Sequence, residues 1–126
     1  MNHLIIGAGP AGLSAVATLR REDPQGRVTL LSREAVNPYA KMALPYLLAG
    51  KIEEKDLFIT PPPGAAFLPG REVVRIRAER REVETAEGST FSYDRLLIAS
   101  GATPERPGMP GGDLPFVFTV RNLSDI

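Results

Sequence analysis

Gly7, Gly9 and Gly12 stand in the run Gly7-Ala8-Gly9-Pro10-Ala11-Gly12, a Gly-x-Gly-x-x-Gly spacing close to the N-terminus. Each lacks a Cβ for a different reason. At Gly7 that permits a tight turn out of a strand, at Gly9 it lets the main chain approach a pyrophosphate, and at Gly12 it lets a helix lie close to a sheet. An anion seated there meets the first N–H groups of the helix, which have no intrahelical partners, and the positive end of the helix dipole. Pro10 costs little at a helix start, where its missing N–H would be an orphan. The apolar run Leu4-Ile5-Ile6 precedes the glycines and an alanine-rich stretch follows them, so the pattern predicts a dinucleotide-binding turn between a strand and a helix.

Other chemistries are excluded by what the chain lacks. It contains no cysteine, which removes disulfides, thiolate metal sites, iron–sulfur ligation and a catalytic thiol from these residues. His3, the one histidine, is read as an edge residue at the mouth of the first strand, with no carboxylate or cysteine cluster to pair with it. Fifteen Lys and Arg balance fifteen Asp and Glu, so neither nucleic acid nor an anionic membrane is expected as a bulk electrostatic partner, and a ligand must be held locally. No apolar run reaches the eighteen or so residues of a membrane span. The N-terminal run lacks a basic lead-in and is interrupted by glycine, against a secretory signal. A cytoplasmic protein is expected, and 126 residues correspond to about one domain.

The elements that must position the glycines are legible in order. From Gly12 to Asp23 apolar residues recur at helical spacing, and Pro24 closes the helix. Arg27-Val28-Thr29-Leu30-Leu31-Ser32 reads as a second parallel strand, which makes residues 3–32 a βαβ unit. At the end of that strand the dinucleotide fold commonly offers an acid to a ribose; Ser32 stands there instead, with Glu34 nearby. A neutral hydrogen bond contributes about 0.5–1.5 kcal/mol against about 1.5–3 for a charged one, so adenosine binding is expected to be about tenfold weaker than with an acid unless Glu34 reaches round. Arg33 leaves open a 2′-phosphate, and hence NADP, as well as a solvated loop residue. Residues 37–50 read as a loop and a short helix, with Leu44, Leu47 and Leu48 on one face, Pro45 in its first turn and Gly50 at its end. Pro61-Pro62-Pro63-Gly64 is a stiff surface connector. Residues 72–92 alternate with period two in three runs, an antiparallel meander. Its arginines, Arg75, Arg77, Arg80 and Arg81, interleave with glutamates as solvated cross-strand pairs. Leu96-Leu97-Ile98-Ala99 suits a buried parallel strand within 95–101, delivering Ser100 and Gly101 to the carboxyl edge of the sheet. Residues 102–115 form a Pro/Gly-rich linker. Phe116-Val117-Phe118-Thr119-Val120 reads as one more strand, and Leu123-Ser124-Asp125 as a helix N-cap.

Taken together, the motifs resemble the pyridine nucleotide-disulfide oxidoreductase superfamily, which includes NADH oxidases, coenzyme A-disulfide reductases, ferredoxin and rubredoxin reductases and the flavin part of assimilatory nitrite reductases. The resemblance rests on Gly7 to Gly12, on Tyr39-Ala40-Lys41-Met42-Ala43-Leu44-Pro45-Tyr46, and on Tyr93-Asp94-Arg95-Leu96-Leu97-Ile98-Ala99-Ser100-Gly101-Ala102-Thr103-Pro104. It covers essentially the whole chain. It implies an α/β, Rossmann-like parallel sheet with an inserted meander, and FAD rather than NADP as the ligand of this segment. By the same resemblance Gly7, Ala8, Gly9, Pro10, Ala11 and Gly12 meet the FAD pyrophosphate, with Lys41 replacing the usual arginine near it. Ser32 and Arg33 lie at the adenosine ribose, the main chain of Val73 bonds adenine, and Ala99, Ser100 and Gly101 form the second flavin-contacting turn. Met42 stands where the coenzyme A-disulfide reductases and NADH oxidases carry their redox cysteine, and is read as core filler.

The expected function is the FAD-binding portion of a flavin-dependent NAD(P)H oxidoreductase, passing electrons from a nicotinamide through FAD to an unidentified acceptor without a redox cysteine. No residue here is expected to act as general acid or base. NAD(P)H is expected to be held by a further domain or companion chain, in a hetero- or homo-oligomer. The alternatives are a non-catalytic FAD- or nucleotide-binding subunit docking on a partner, and a small NADP-binding reductase using Ser32 and Arg33.

Overall fold

The computed structural model describes all 126 residues, which gather into two compact units, Met1–Pro38 with Ile59–Gly101 and Tyr39–Phe58 with Ala102–Ile126. The first unit holds the strands and the long helix: β1 (Asn2–Ile6), α1 (Pro10–Glu22), β2 (Arg27–Leu31), β3 (Ala65–Leu68), β4 (Val73–Arg77), β5 (Glu82–Thr85), β6 (Thr90–Ser92) and β7 (Arg95–Ile98). β3, β2, β1 and β7 form one sheet in that order, every pairing parallel. In register, Ile5 lies beside Leu30 on one side and Leu97 on the other. β4, β5 and β6 form the expected antiparallel meander.

Successive side chains of a strand point to opposite faces, and both faces of this sheet are covered. Ile5, Val28 and Leu30 pack with Val16 of α1, and Leu13, Ala15 and Leu19 extend that contact. On the other face Leu4 and Leu31 pack with Val83, joined by Val73 and Phe91 of the meander. That double coverage is why β1 and β2 read as nearly continuous apolar runs.

Two expectations for this unit need correction, and one strand was not foreseen. β3 was hidden in sequence, since four residues between a proline turn and Gly70 carry no pattern of their own; pairing with β2 makes them a strand. β7 is parallel as expected but is an edge strand of the sheet, and Ile98 is 59% exposed rather than buried. His3 is not a partnerless edge residue: it is only 8% exposed, and its Nε2 donates to Asp23 Oδ2 at 2.9 Å, with the N-terminal ammonium 3.9 Å from the same oxygen. Asp23 caps the end of α1, so helix periodicity could not show that it turns back to the start of β1.

The second unit contains α2 (Leu44–Leu48), preceded by a 3₁₀ turn at Lys41–Ala43. Pro45 lies in its first turn, and Gly50 closes it by donating to Leu47 O at 2.9 Å, as the sequence predicts. Tyr39, Leu44 and Leu57 form its core with Ala43, Leu47, Ile52 and Leu123. The Tyr39 and Phe58 rings meet edge to face, centroids 6.3 Å apart. Met42, expected as core filler, is 80% exposed; Leu44 and Leu47 already fill the core-facing side of this short helix. Phe116 to Val120 forms no strand. Val117 N bonds Leu114 O to close a turn, and Phe118 is 77% exposed, because alternation alone gives no strand without a neighbouring strand to bond. The last helical turn, Leu123–Asp125, is capped by Asn122 in a reciprocal capping box.

Candidate functional site

The glycine turn begins where β1 runs out. Gly7 N donates to Leu31 O at 2.8 Å, carrying the β1–β2 ladder one residue past the strand, and its φ of 110° is one that side chains rarely adopt. A Cβ at Gly7 would also overlap the carbonyl oxygen of Ala99. Ala99 is held there because its N–H donates to Ile6 O at 2.8 Å, continuing the β1–β7 ladder. A Cβ on Gly12, in the first turn of α1, would overlap Gly7 O and lie 3.5 Å from Ile5 Cγ2. Gly7 and Gly12 are therefore demanded by the protein's own packing. Gly9 is not: a Cβ there meets nothing within 4 Å, and its backbone is extended, with φ −78° and ψ −175°.

Gly9 is the N-cap of α1, without a side-chain hydrogen bond and with no acidic residue in the first turn. The first bond of the helix runs from Leu13 N to Gly9 O at 3.0 Å. The amides of Ala11 and Gly12 thus precede the ladder, and Pro10 has none to offer. Main-chain amides and the helix dipole supply positive potential here, and nothing within the protein crowds the open face of Gly9. A dinucleotide fits this cradle on the protein's own geometry. The position fits too: β2 pairs on one side of β1 and β7 on the other, and ligands of open α/β sheets sit at such a switch point, beyond the carboxyl ends of the strands.

Gly7 to Gly12 and Ala99 to Gly101 are brought together at that edge. Ser32 follows β2, is 8% exposed, and has both main-chain groups engaged, its N–H with Leu68 O at 3.1 Å and its carbonyl with Arg71 N at 2.7 Å. Arg33 is exposed. Val73 opens β4 opposite Thr85 and packs on the Leu4–Leu31 face of the sheet. Lys41 belongs to the second unit, where its Nζ donates to Asn122 Oδ1 at 2.6 Å and lies 5.3 Å from the centre of the Tyr39 ring. Sequence reasoning missed the tie between Ser32 and Arg71, because it depends on the unforeseen β3.

A family model for pyridine nucleotide-disulphide oxidoreductases matches residues 1–126. The chain belongs to this family. The Rossmann-like fold and the FAD expected from the sequence accord with that membership. Among curated proteins, the chain is similar to the epsilon subunit of NADH-dependent phenylglyoxylate dehydrogenase from Aromatoleum evansii, 33% identical over 98% of this chain and 30% of the relative. It is also similar to the ferredoxin–NAD(+) reductase component of the biphenyl dioxygenase system from Paraburkholderia xenovorans, 35% identical over 96% of this chain and 31% of the relative. Among solved structures, a ferredoxin reductase for the CYP199A2 system of Rhodopseudomonas palustris superposes with TM-score 0.82 at 29% identity, over 98% of this chain and 32% of the other. The chain spans about a third of the length of these family members.

Proposed function

We propose that this chain is the FAD-holding part of a flavin-dependent NAD(P)H oxidoreductase that passes reducing equivalents from a nicotinamide to an acceptor. The observation that carries the reading is Gly9: a bare position that the fold does not require, at a helix start with no side-chain cap. When bound, the flavin supplies the redox chemistry, and the protein's share is binding and orientation. Gly7 to Gly12 hold the diphosphate with main-chain amides, Ser32 and Arg33 serve the adenosine ribose, Val73 offers its main chain to adenine, and Ala99 to Gly101 border the flavin. Ser32 contributes a neutral hydrogen bond where an acid would contribute a charged one.

Electron delivery needs no thiol from this chain, which has no cysteine. Similarity to a ferredoxin–NAD(+) reductase and to a rubredoxin–NAD(+) reductase of Pseudomonas putida supports a small electron-transfer protein as acceptor. No helix is long and apolar enough to cross a membrane, and on this reading the protein is cytoplasmic. The test is the absorption spectrum and titration of the intact protein. Bands near ~370 and ~450 nm belong to a bound flavin, and FAD should saturate one site. A colourless protein stabilised by NADP but not by FAD would overturn the reading in favour of a small NADP-binding reductase.

A further inference from the structure

We propose that Arg71 and Glu87 are a positioning pair for the adenosine end of the dinucleotide; the inference rests on the reading above and deepens it. The segment from Gly70 to Val73 joins two of the residues assigned to adenosine, Ser32 and Val73. On one side it is zipped to the end of β2. Ser32 N donates to Leu68 O at 3.1 Å, Arg71 N to Ser32 O at 2.7 Å and Gly70 N to Glu34 O at 3.1 Å, so the β2–β3 ladder continues past both strands and fixes Ser32. On the other side the segment meets the β5–β6 hairpin, where Ala86 N donates to Glu72 O at 2.8 Å.

The weak place is Val73 itself. The β4–β5 register shifts between Val73 and Arg75, and a bulge of this kind disrupts the ladder locally. An anchor on the N-terminal side of Val73 therefore matters to where its main chain stands. Arg71 supplies one: its guanidinium donates to Glu87 Oε1 at 2.5 Å across to the hairpin turn. Glu87 is held in turn. Its own amide, then Arg71 and Thr85, hold its carboxyl below the usual glutamate range, and Thr85 is 1% exposed with its main-chain N–H donating to Ser89 O at 2.9 Å. The two side chains act through the segment that joins Ser32 to Val73, without themselves being assigned to the nucleotide.

The experiment uses the intact protein freed of cofactor, with FAD and ADP as probes, since ADP carries the adenosine and diphosphate without the flavin. Arg71→Gln and Glu87→Gln should each weaken FAD and ADP together by about two- to fivefold, a size set by the pair's partial exposure. Their combination should be no worse than either alone. Arg71→Lys should retain most of the affinity, and the reversed pair Arg71→Glu with Glu87→Arg should restore it, with the unliganded thermal midpoint showing that the variants fold. Unchanged affinities in the single variants, additive losses, or failure of both the lysine and the reversed pair to rescue would overturn the proposal. A wild-type protein that binds neither probe would remove the dinucleotide reading itself, and this proposal with it.

Discussion

Gly9 and Gly12 look equivalent in sequence, and the structure predicts opposite consequences for changing them. In Gly12→Ala the new methyl overlaps Gly7 O, with Gly7 C at 3.1 Å and Ile5 Cγ2 at 3.5 Å. The obstruction is backbone, and Gly12 is buried against the sheet, so α1 must shift bodily. Overpacking of this kind costs about 1–3 kcal/mol or more, which lowers the thermal midpoint by roughly 4–12 °C in a chain of this size. In Gly9→Val the Cβ enters open space on an extended backbone, so the expected loss to the fold is an N-cap preference of about 1 kcal/mol. The loss falls on the ligand. A diphosphate kept away from the Ala11 and Gly12 amides forfeits two hydrogen bonds to a charged group, about 1.5–3 kcal/mol each, or a hundredfold or more in FAD affinity at about 1.4 kcal/mol per factor of ten.

The assay is a pair of measurements on each variant, the unliganded thermal midpoint and an FAD titration followed by flavin fluorescence. Gly9→Val should melt within a few degrees of the wild type and bind FAD at least a hundredfold more weakly; Gly12→Ala should melt early. FAD binding by Gly9→Val at wild-type strength would refute the assignment of Gly9 to the diphosphate. A Gly12→Ala protein as stable as the wild type would refute the packing argument independently.

Asp23 should make stability depend on acid. The hydrogen bond from His3 first, and the N-terminal ammonium with it, hold its carboxyl below 3.8. A depressed carboxyl contributes stability above its unfolded value and loses it as pH falls through the folded one. The stability gap between wild type and Asp23→Asn, by denaturant titration, should thus hold steady from about pH 5 down to 3.8 and close below it; a gap that stays constant into stronger acid would count against the pairing. Leu30→Ala removes a side chain that is fully buried between β1 and α1 and should cost about 2–5 kcal/mol in urea unfolding; a loss under 1 kcal/mol would mean that this core is not closed as described. Met42→Gln alters a side chain outside the core of its unit and should change stability by no more than about 0.5 kcal/mol, whereas a large loss would restore the core-filler reading.

What sequence could show followed the range of the interaction responsible. β1, α1, β2 and the meander were legible because their periodicity is written within each segment and each buries a face that the period identifies. β3 was not: Ala65 to Leu68 becomes a strand only through Val28 to Leu31, more than thirty residues earlier. The reverse error at Phe116 to Val120 has the same root, since there the period is present and the partner strand is not. His3 and Asp23 were separable in sequence and inseparable in space, because a parallel βαβ crossover returns the end of the helix to the start of the first strand. The candidate site repeats the lesson at the scale of one motif. Three glycines at fixed spacing announce a phosphate turn, but Gly7 and Gly12 would be needed in a strand-turn-helix that bound nothing, since Ala99 and Gly7 themselves occupy the space a Cβ would take. Only Gly9 faces emptiness. On the proposed reading the motif's functional content turns on that one position, where the absence of a side chain serves no contact within the protein and leaves main-chain amides open to a diphosphate.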